Sequence, residues 1–264
     1  MSVASVARWD AFLGQIEGRH REVITEAELA AREAIASLTA GGDTSPLSHQ
    51  LMAVSSRLQE LESRIIDTWH AKVDDLIPVG DRDREYAKGQ TLQRVLSDHR
   101  DELEPRIFAE LARQRFAHAS ATQDPVACGC GTQYAAPITF RITELRCVSC
   151  SALLVYEPSD VMRSVAAIGA HPLAQEAAIA EWRAMRAAER RLNDQRPPRA
   201  LQLVVDYEHS QIAYWRAYLT ARAQLEPELG RDLALEVRSR MEQWYVSHAE
   251  YEQAWVAAGR PRAA

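Results

Sequence analysis

All four cysteines of this 264-residue chain fall within 23 residues, as Cys128-Gly-Cys130 and Cys147-Val-Ser-Cys150 with sixteen residues between the pairs. Unrelated buried thiols have no reason to gather so tightly, whereas four thiolates can close a tetrahedral shell around Zn²⁺. Two close pairs joined by a short connection cost little chain entropy to assemble. Disulfides are the other reading, and they belong to oxidising compartments. The chain opens Met1-Ser-Val-Ala-Ser-Val-Ala7 and meets Arg8, Trp9 and Asp10 at once. That is no secretion signal, so a reducing cytoplasm is the expected location. The expectation is one structural zinc on Cys128, Cys130, Cys147 and Cys150. Four cysteine ligands leave no open position for water or substrate, which argues against a catalytic ion.

The surrounding residues suit turns on a small sheet. Gly129 and Gly131 can take the positive φ angles needed to aim both sulfurs of the shorter pair inward. Ile138, Phe140 and Ile142 alternate with Thr139, Arg141 and Thr143 at strand period, and Ala152 to Tyr156 supplies a second strand. The segment resembles a zinc ribbon. The pairing Cys-X-Cys with a distal Cys-X-X-Cys also resembles the zinc centre of the redox-regulated heat-shock chaperone family, which implies a redox switch at the same four residues.

The rest of the chain reads as helix. Leu13, Ile16, His20, Ile24, Ala27, Ala31, Ala34 and Leu38 recur at steps of three and four on one face. Ala40 to Pro46 stops that helix, with Ser45 as cap of the next and Pro46 at its first position. Leu47, Leu51, Val54, Leu58, Leu61 and Ile65 then keep a 4-3-4-3-4 spacing, a coiled-coil-like seam. One continuous helix to Leu76, packed antiparallel on its predecessor, is expected. A third helix begins near Asp83 with the seam Leu92, Val95, His99, Leu103, Ile107 and Leu111, and Pro105 should kink or divide it. After Pro158, a short helix capped by Ser159 runs to Ile168. Gly169 to Pro172 closes it before a longer helix carrying Ala178, Trp182, Met185 and Leu192. Beyond the Arg196-Pro-Pro-Arg199 breaker, Leu201, Val204, Glu208, Ile212, Trp215, Leu219 and Ala223 mark one helix. Leu233, Val237, Met241, Trp244, His248, Tyr251 and Trp255 mark its antiparallel partner. The fold class is mainly α: antiparallel helical hairpins with a small central β ribbon. Its segments are 1–122, 123–158 and 159–264.

Eight of the eighteen aromatic residues lie between Tyr207 and Trp255, and Tyr207, Tyr214, Tyr218 and Tyr245 do not all fit the two seams. An interface is one account, with a homodimer as the first partner to expect; ordinary bundle core is the other. His20, His99, Glu208 and His248 are ionisable residues on seams. Such residues can build a metal site, and Glu17-Gly-Arg-His20 has the i, i+3 spacing of di-iron bundles. More often they fix helix register. Asp67-Thr-Trp-His70 and Asp206-Tyr-Glu-His209 are near variants with aspartate.

Four function classes remain open. The first is a non-enzymatic scaffold or adaptor that binds proteins through its helical hairpins. The plan resembles bacterial coiled-coil and zinc-ribbon proteins of the DksA/TraR type, which implies a hairpin inserted into a large partner, although here the ribbon lies mid-chain. The second is a nucleic-acid-associated ribbon factor, disfavoured because residues 124–158 hold two arginines against three carboxylates and the whole chain carries −6. A redox-controlled chaperone is the third. A metal-dependent bundle enzyme is the fourth, without support from any phosphate loop, nucleophile elbow or HExxH. No apolar run approaches the ~20 residues of a membrane span. Only Lys72 and Lys88 are lysines among 31 basic residues, a bias expected of a GC-rich bacterial genome.

Overall fold

The computed structural model describes residues 2–39, 41–195 and 200–247. It is 76% helical, with seven helices among those residues and two small antiparallel strand pairs, so the mainly α expectation holds. The chain divides into two compact units, Met1–Ile107 and Phe108–Ala264.

In the first unit, α1 (Ser2–Ser37) and α2 (Ser45–Thr68) run antiparallel. Trp9 meets Trp69 edge-on at 5.3 Å and His20 faces Glu62 at 3.4 Å, so the numbering rises on one helix as it falls on the other. α3 (Val79–Ala121) contributes its first part here. Asp10 pairs with Lys88 at 3.1 Å and Glu28 with Arg106 at 2.5 Å, which sets that part of α3 parallel to α1. Leu47, Leu51, Leu58, Leu61 and Ile65 are all buried and Val54 half-buried, as their spacing requires. On α1 the buried stripe is Trp9, Leu13, Ile16, His20, Val23, Ala27, Ala31 and Ile35. Ile24, Ala34 and Leu38 sit at its margin, because a helix covered by two neighbours buries a wider face than one seam.

Several boundaries differ from the expected ones. Thr44 is the cap of α2, while Ser45 donates from both its N–H and its hydroxyl to Asp43. The helix beyond Thr68 changes pitch, through a π turn at Trp69–Val73 and a 3₁₀ turn at Asp74–Leu76. α3 starts at Val79 and continues unbroken through Pro105. Burial of Leu103, Ile107 and Leu111 around the proline offsets the lost hydrogen bond, a defect of about 3 kcal/mol. His99 and Val95 are exposed, and Leu96 takes the buried position instead.

The second unit centres on α6 (Leu201–Arg222), against which α4 (Asp160–Ala177), α5 (Ile179–Asn193) and α7 (Leu233–Ser247) all pack. Ser159 caps α4 as expected, accepting from the Met162 N–H. Contrary to expectation, α4 runs straight through Gly169 and Pro172. Gly169 does not end the helix: a Cβ there would lie 2.6 Å from that of Ala112, so the glycine permits a close helix approach. α6 and α7 are antiparallel, with Tyr207 against Trp244 and Arg240 over Trp215.

Tyr207, Tyr214, Tyr218 and Tyr245 are all buried in this unit's own core with Trp182, Met185, Leu219 and Met241. Burial, and then the Tyr218 hydroxyl, pushes the Tyr214 phenol up to about 12. The tyrosines left over from a two-helix seam are therefore taken up by a helix that has neighbours on three sides. Arg196 to Arg199, His248, Tyr251 and Trp255 lie outside the described residues. No helix among the described residues is long and apolar enough to cross a membrane.

Candidate metal centre

Each cysteine pair occupies the turn of its own β-hairpin. β1 (Val126–Ala127) pairs with β2 (Gln133–Tyr134), and β3 (Thr143–Arg146) pairs with β4 (Leu153–Tyr156), both antiparallel. In the first turn the Cys128 N–H donates to Thr132 O at 2.9 Å and the Gly131 N–H to Cys128 O at 2.9 Å. In the second, the Cys147 N–H donates to Ala152 O at 2.9 Å and the Ser151 N–H to Cys147 O at 2.8 Å. The residue after each second cysteine is left-handed, Gly131 at φ 87° and Ser151 at φ 62°. Positive φ thus falls on Gly131 alone in the first turn; Gly129 does not need it.

The predicted strand from Ile138 to Ile142 does not form. Thr139 holds this stretch in local bonds, donating to Arg141 O and accepting the Arg141 N–H, which compete with a ladder. Ile138 and Ile142 are exposed and Phe140 packs against Phe116 of α3. Gln123 ties the segment to the end of α3, donating to Pro137 O at 3.0 Å and to the Tyr156 hydroxyl.

The two turns face each other and bring all four sulfurs within 4.8 Å of one another, a group that can hold a metal ion. Cys128 Sγ lies 3.6 Å from Cys150 Sγ, and Cys130 Sγ lies 3.7 Å from Cys147 Sγ. All four thiols are free. Cys128 and Cys147 are buried while Cys130 and Cys150 are exposed, so the cluster sits at the surface of the hairpin pair.

Residues that sequence reasoning passed over complete the surroundings. The Tyr134 hydroxyl donates to Cys147 Sγ at 2.7 Å and accepts the Val148 N–H at 3.1 Å. Thr132 Oγ1 lies 3.2 Å from Cys130 Sγ and 3.0 Å from Ser149 Oγ, tying one turn to the other. The usable signal was period 2: Thr132 and Tyr134 share one face of the strand leaving the first turn.

These donors spread the thiols apart in acidity. The Tyr134 hydroxyl, then the Cys150 and Ser149 N–H groups, hold Cys147 down to about 5. The Thr132 hydroxyl and N–H hold Cys130 below the ordinary thiol value. The Ala152 N–H draws Cys150 down, but the Cys147, Cys128 and Cys130 sulfurs outweigh it and push Cys150 up to about 12. One thiolate therefore forms readily and obstructs the last. A cation at the centre would favour the ionised form of all four.

The other ionisable candidates do not converge. His20 is buried against Glu62, whose other oxygen accepts from Arg100 Nη1 at 2.8 Å, a network joining α1, α2 and α3. Glu17 is exposed and paired with Arg21, so the Glu17 to His20 spacing builds nothing. His99 and His209 are exposed and Glu208 is buried within α6. Among the described residues no other group of three or more His, Cys, Asp or Glu comes together to hold a metal. Comparison of the chain with protein-family models, with curated proteins and with solved structures finds no match.

Proposed function

We propose that the chain is a non-enzymatic docking protein whose hairpin pair is braced by one structural Zn²⁺ on Cys128, Cys130, Cys147 and Cys150. The observation that carries this reading is where burial stops. Between Val126 and Tyr156 the only fully buried residues are Cys128 and Cys147. A segment without an apolar core needs another source of cohesion, and zinc supplies it. The sulfur separations of 3.6 and 3.7 Å lie close to the ~3.8 Å edge of a tetrahedron with Zn–S of about 2.3 Å. Four thiolate ligands fill that shell and suit a structural ion.

The same segment faces its apolar residues outward. Ile138, Ile142, Val148, Leu153 and Val155 are five of the twelve large hydrophobics exposed among the described residues, and each is more than half exposed. On the β3–β4 ladder, Val155 opposite Glu144 and Leu153 opposite Arg146 share the exposed face. An apolar strip edged by both charges, on a rigid metal-held turn, suits docking to a protein.

The test has two parts. Metal analysis of the purified protein should find one zinc per chain; iron or manganese in its place sinks the structural-zinc half. Val148→Asp combined with Val155→Asp should keep that zinc yet lose the partner that the wild type captures from its own host's extract. Equal capture by both proteins would move docking to another surface.

A further inference from the structure

Unit one carries a hollow of about 200 Å³ between the start of α1 and the turns that follow α2. Its wall is Trp9, Phe12, Val73 and Leu76, and Arg8 and Lys72 stand on its lining. The wall is rigid where it matters. Trp9 is 2% exposed, donates its indole N–H to Glu85 O at 3.0 Å, stacks on Phe12 and meets Trp69 edge-on.

The other side of the hollow is shaped by the π turn. The Asp74 N–H reaches back five residues to Trp69 O, and the widened turn supplies Lys72 and Val73 to the lining. Such turns are less favourable than α-helix and recur at functional sites.

Charge narrows the occupant. Arg8 and Lys72 are exposed, and neither makes a hydrogen bond or ion pair among the described residues. Lys88, the other lysine, is held by both Asp10 and Glu85. What sets Arg8 and Lys72 apart is their place: both line the same aromatic hollow. A dry cavity of ~150 Å³ takes a benzene ring, so this one has room for a ring and a short stem.

We propose that this hollow binds a small arylalkanoic acid, its ring against Trp9 and Phe12 and its carboxylate paired with Arg8 and Lys72. The guanidinium and the ammonium suit a carboxylate, and the aromatic wall suits a flat apolar body. Nothing in this proposal depends on the cysteine cluster or on zinc.

Titration calorimetry on the intact protein with 3-phenylpropionate tests it. One saturable site is expected, with 3-phenylpropanol, the same body without charge, bound at least tenfold more weakly. The pair of changes Arg8→Gln and Lys72→Gln should remove that preference by weakening the acid tenfold or more, while leaving the alcohol and the melting temperature unchanged. Both side chains are exposed and unpaired, so the variant keeps its fold. The proposal is overturned if the acid does not bind at millimolar concentration, if the alcohol binds as well as the acid in the wild type, or if the double variant binds the acid undiminished.

Discussion

The first unit and the hairpin pair solve the same problem of cohesion in opposite ways. Along α1 and α2 the chain buries Leu13, Ile16, Leu47, Leu51, Leu58 and Ile65, each contributing roughly 1.5–3 kcal/mol. From Val126 to Tyr156 it buries two cysteines, and its aliphatic residues are exposed or half-buried. A helical hairpin can draw its stability from length, since every added turn adds a buried residue. Two strand pairs of two and four residues cannot. On the proposed reading the two regions fail differently: the helices lose stability contact by contact, whereas the hairpin pair rests on a single centre.

Breaking that centre should have the largest effect. In Cys147→Ser the proposed zinc and the ordered amide signals of the hairpins should be lost together, because apparent binding energies of ~10–16 kcal/mol are also the folding energy of such small sites. Helical circular dichroism should stay near the wild-type level. A mutant that keeps stoichiometric zinc would end the comparison.

The reciprocal change is Leu58→Asp. Leu58 is fully buried in the α2 seam, and an unpaired carboxylate there should lower stability by about 3–5 kcal/mol in denaturant titration while the zinc content holds. Unchanged stability would show that the apolar core does not hold the first unit.

Smaller effects sharpen the contrast. Tyr134→Phe removes the hydroxyl that donates to Cys147 and should weaken the proposed zinc binding about 10- to 100-fold in competition with a chelating dye, with the hairpins still folded. Least of all, Gly14→Ala and Gly89→Ala should shift stability by about 1 kcal/mol in opposite directions. A Cβ at Gly14 meets nothing within 4 Å, so helix propensity wins; at Gly89 it would press the buried Trp9 ring at 2.8 Å, so crowding wins.

The cysteine spacing and the α2 heptad were legible in the sequence because both are local. The pairs at 128/130 and 147/150 specify two turns, and the 4-3-4-3-4 spacing specifies one helix face whatever covers it. Ser159 as a cap is equally local. The identities of neighbours were not. Gly169 looks like a stop until Ala112 is found against it. His99 continues the apparent α3 seam, yet the actual stripe passes through Leu96 because α1 and α2 cover a different face. The alternation from Ile138 to Ile142 is a strand pattern without a strand to pair with. The four tyrosines suggested an outward surface only while α6 was granted a single neighbour. Tyr134 became part of the cysteine site once the two hairpins faced each other. Periodicity and spacing are carried by the chain itself; which face is covered, and by what, depends on elements distant in sequence, and only the tertiary structure decides it.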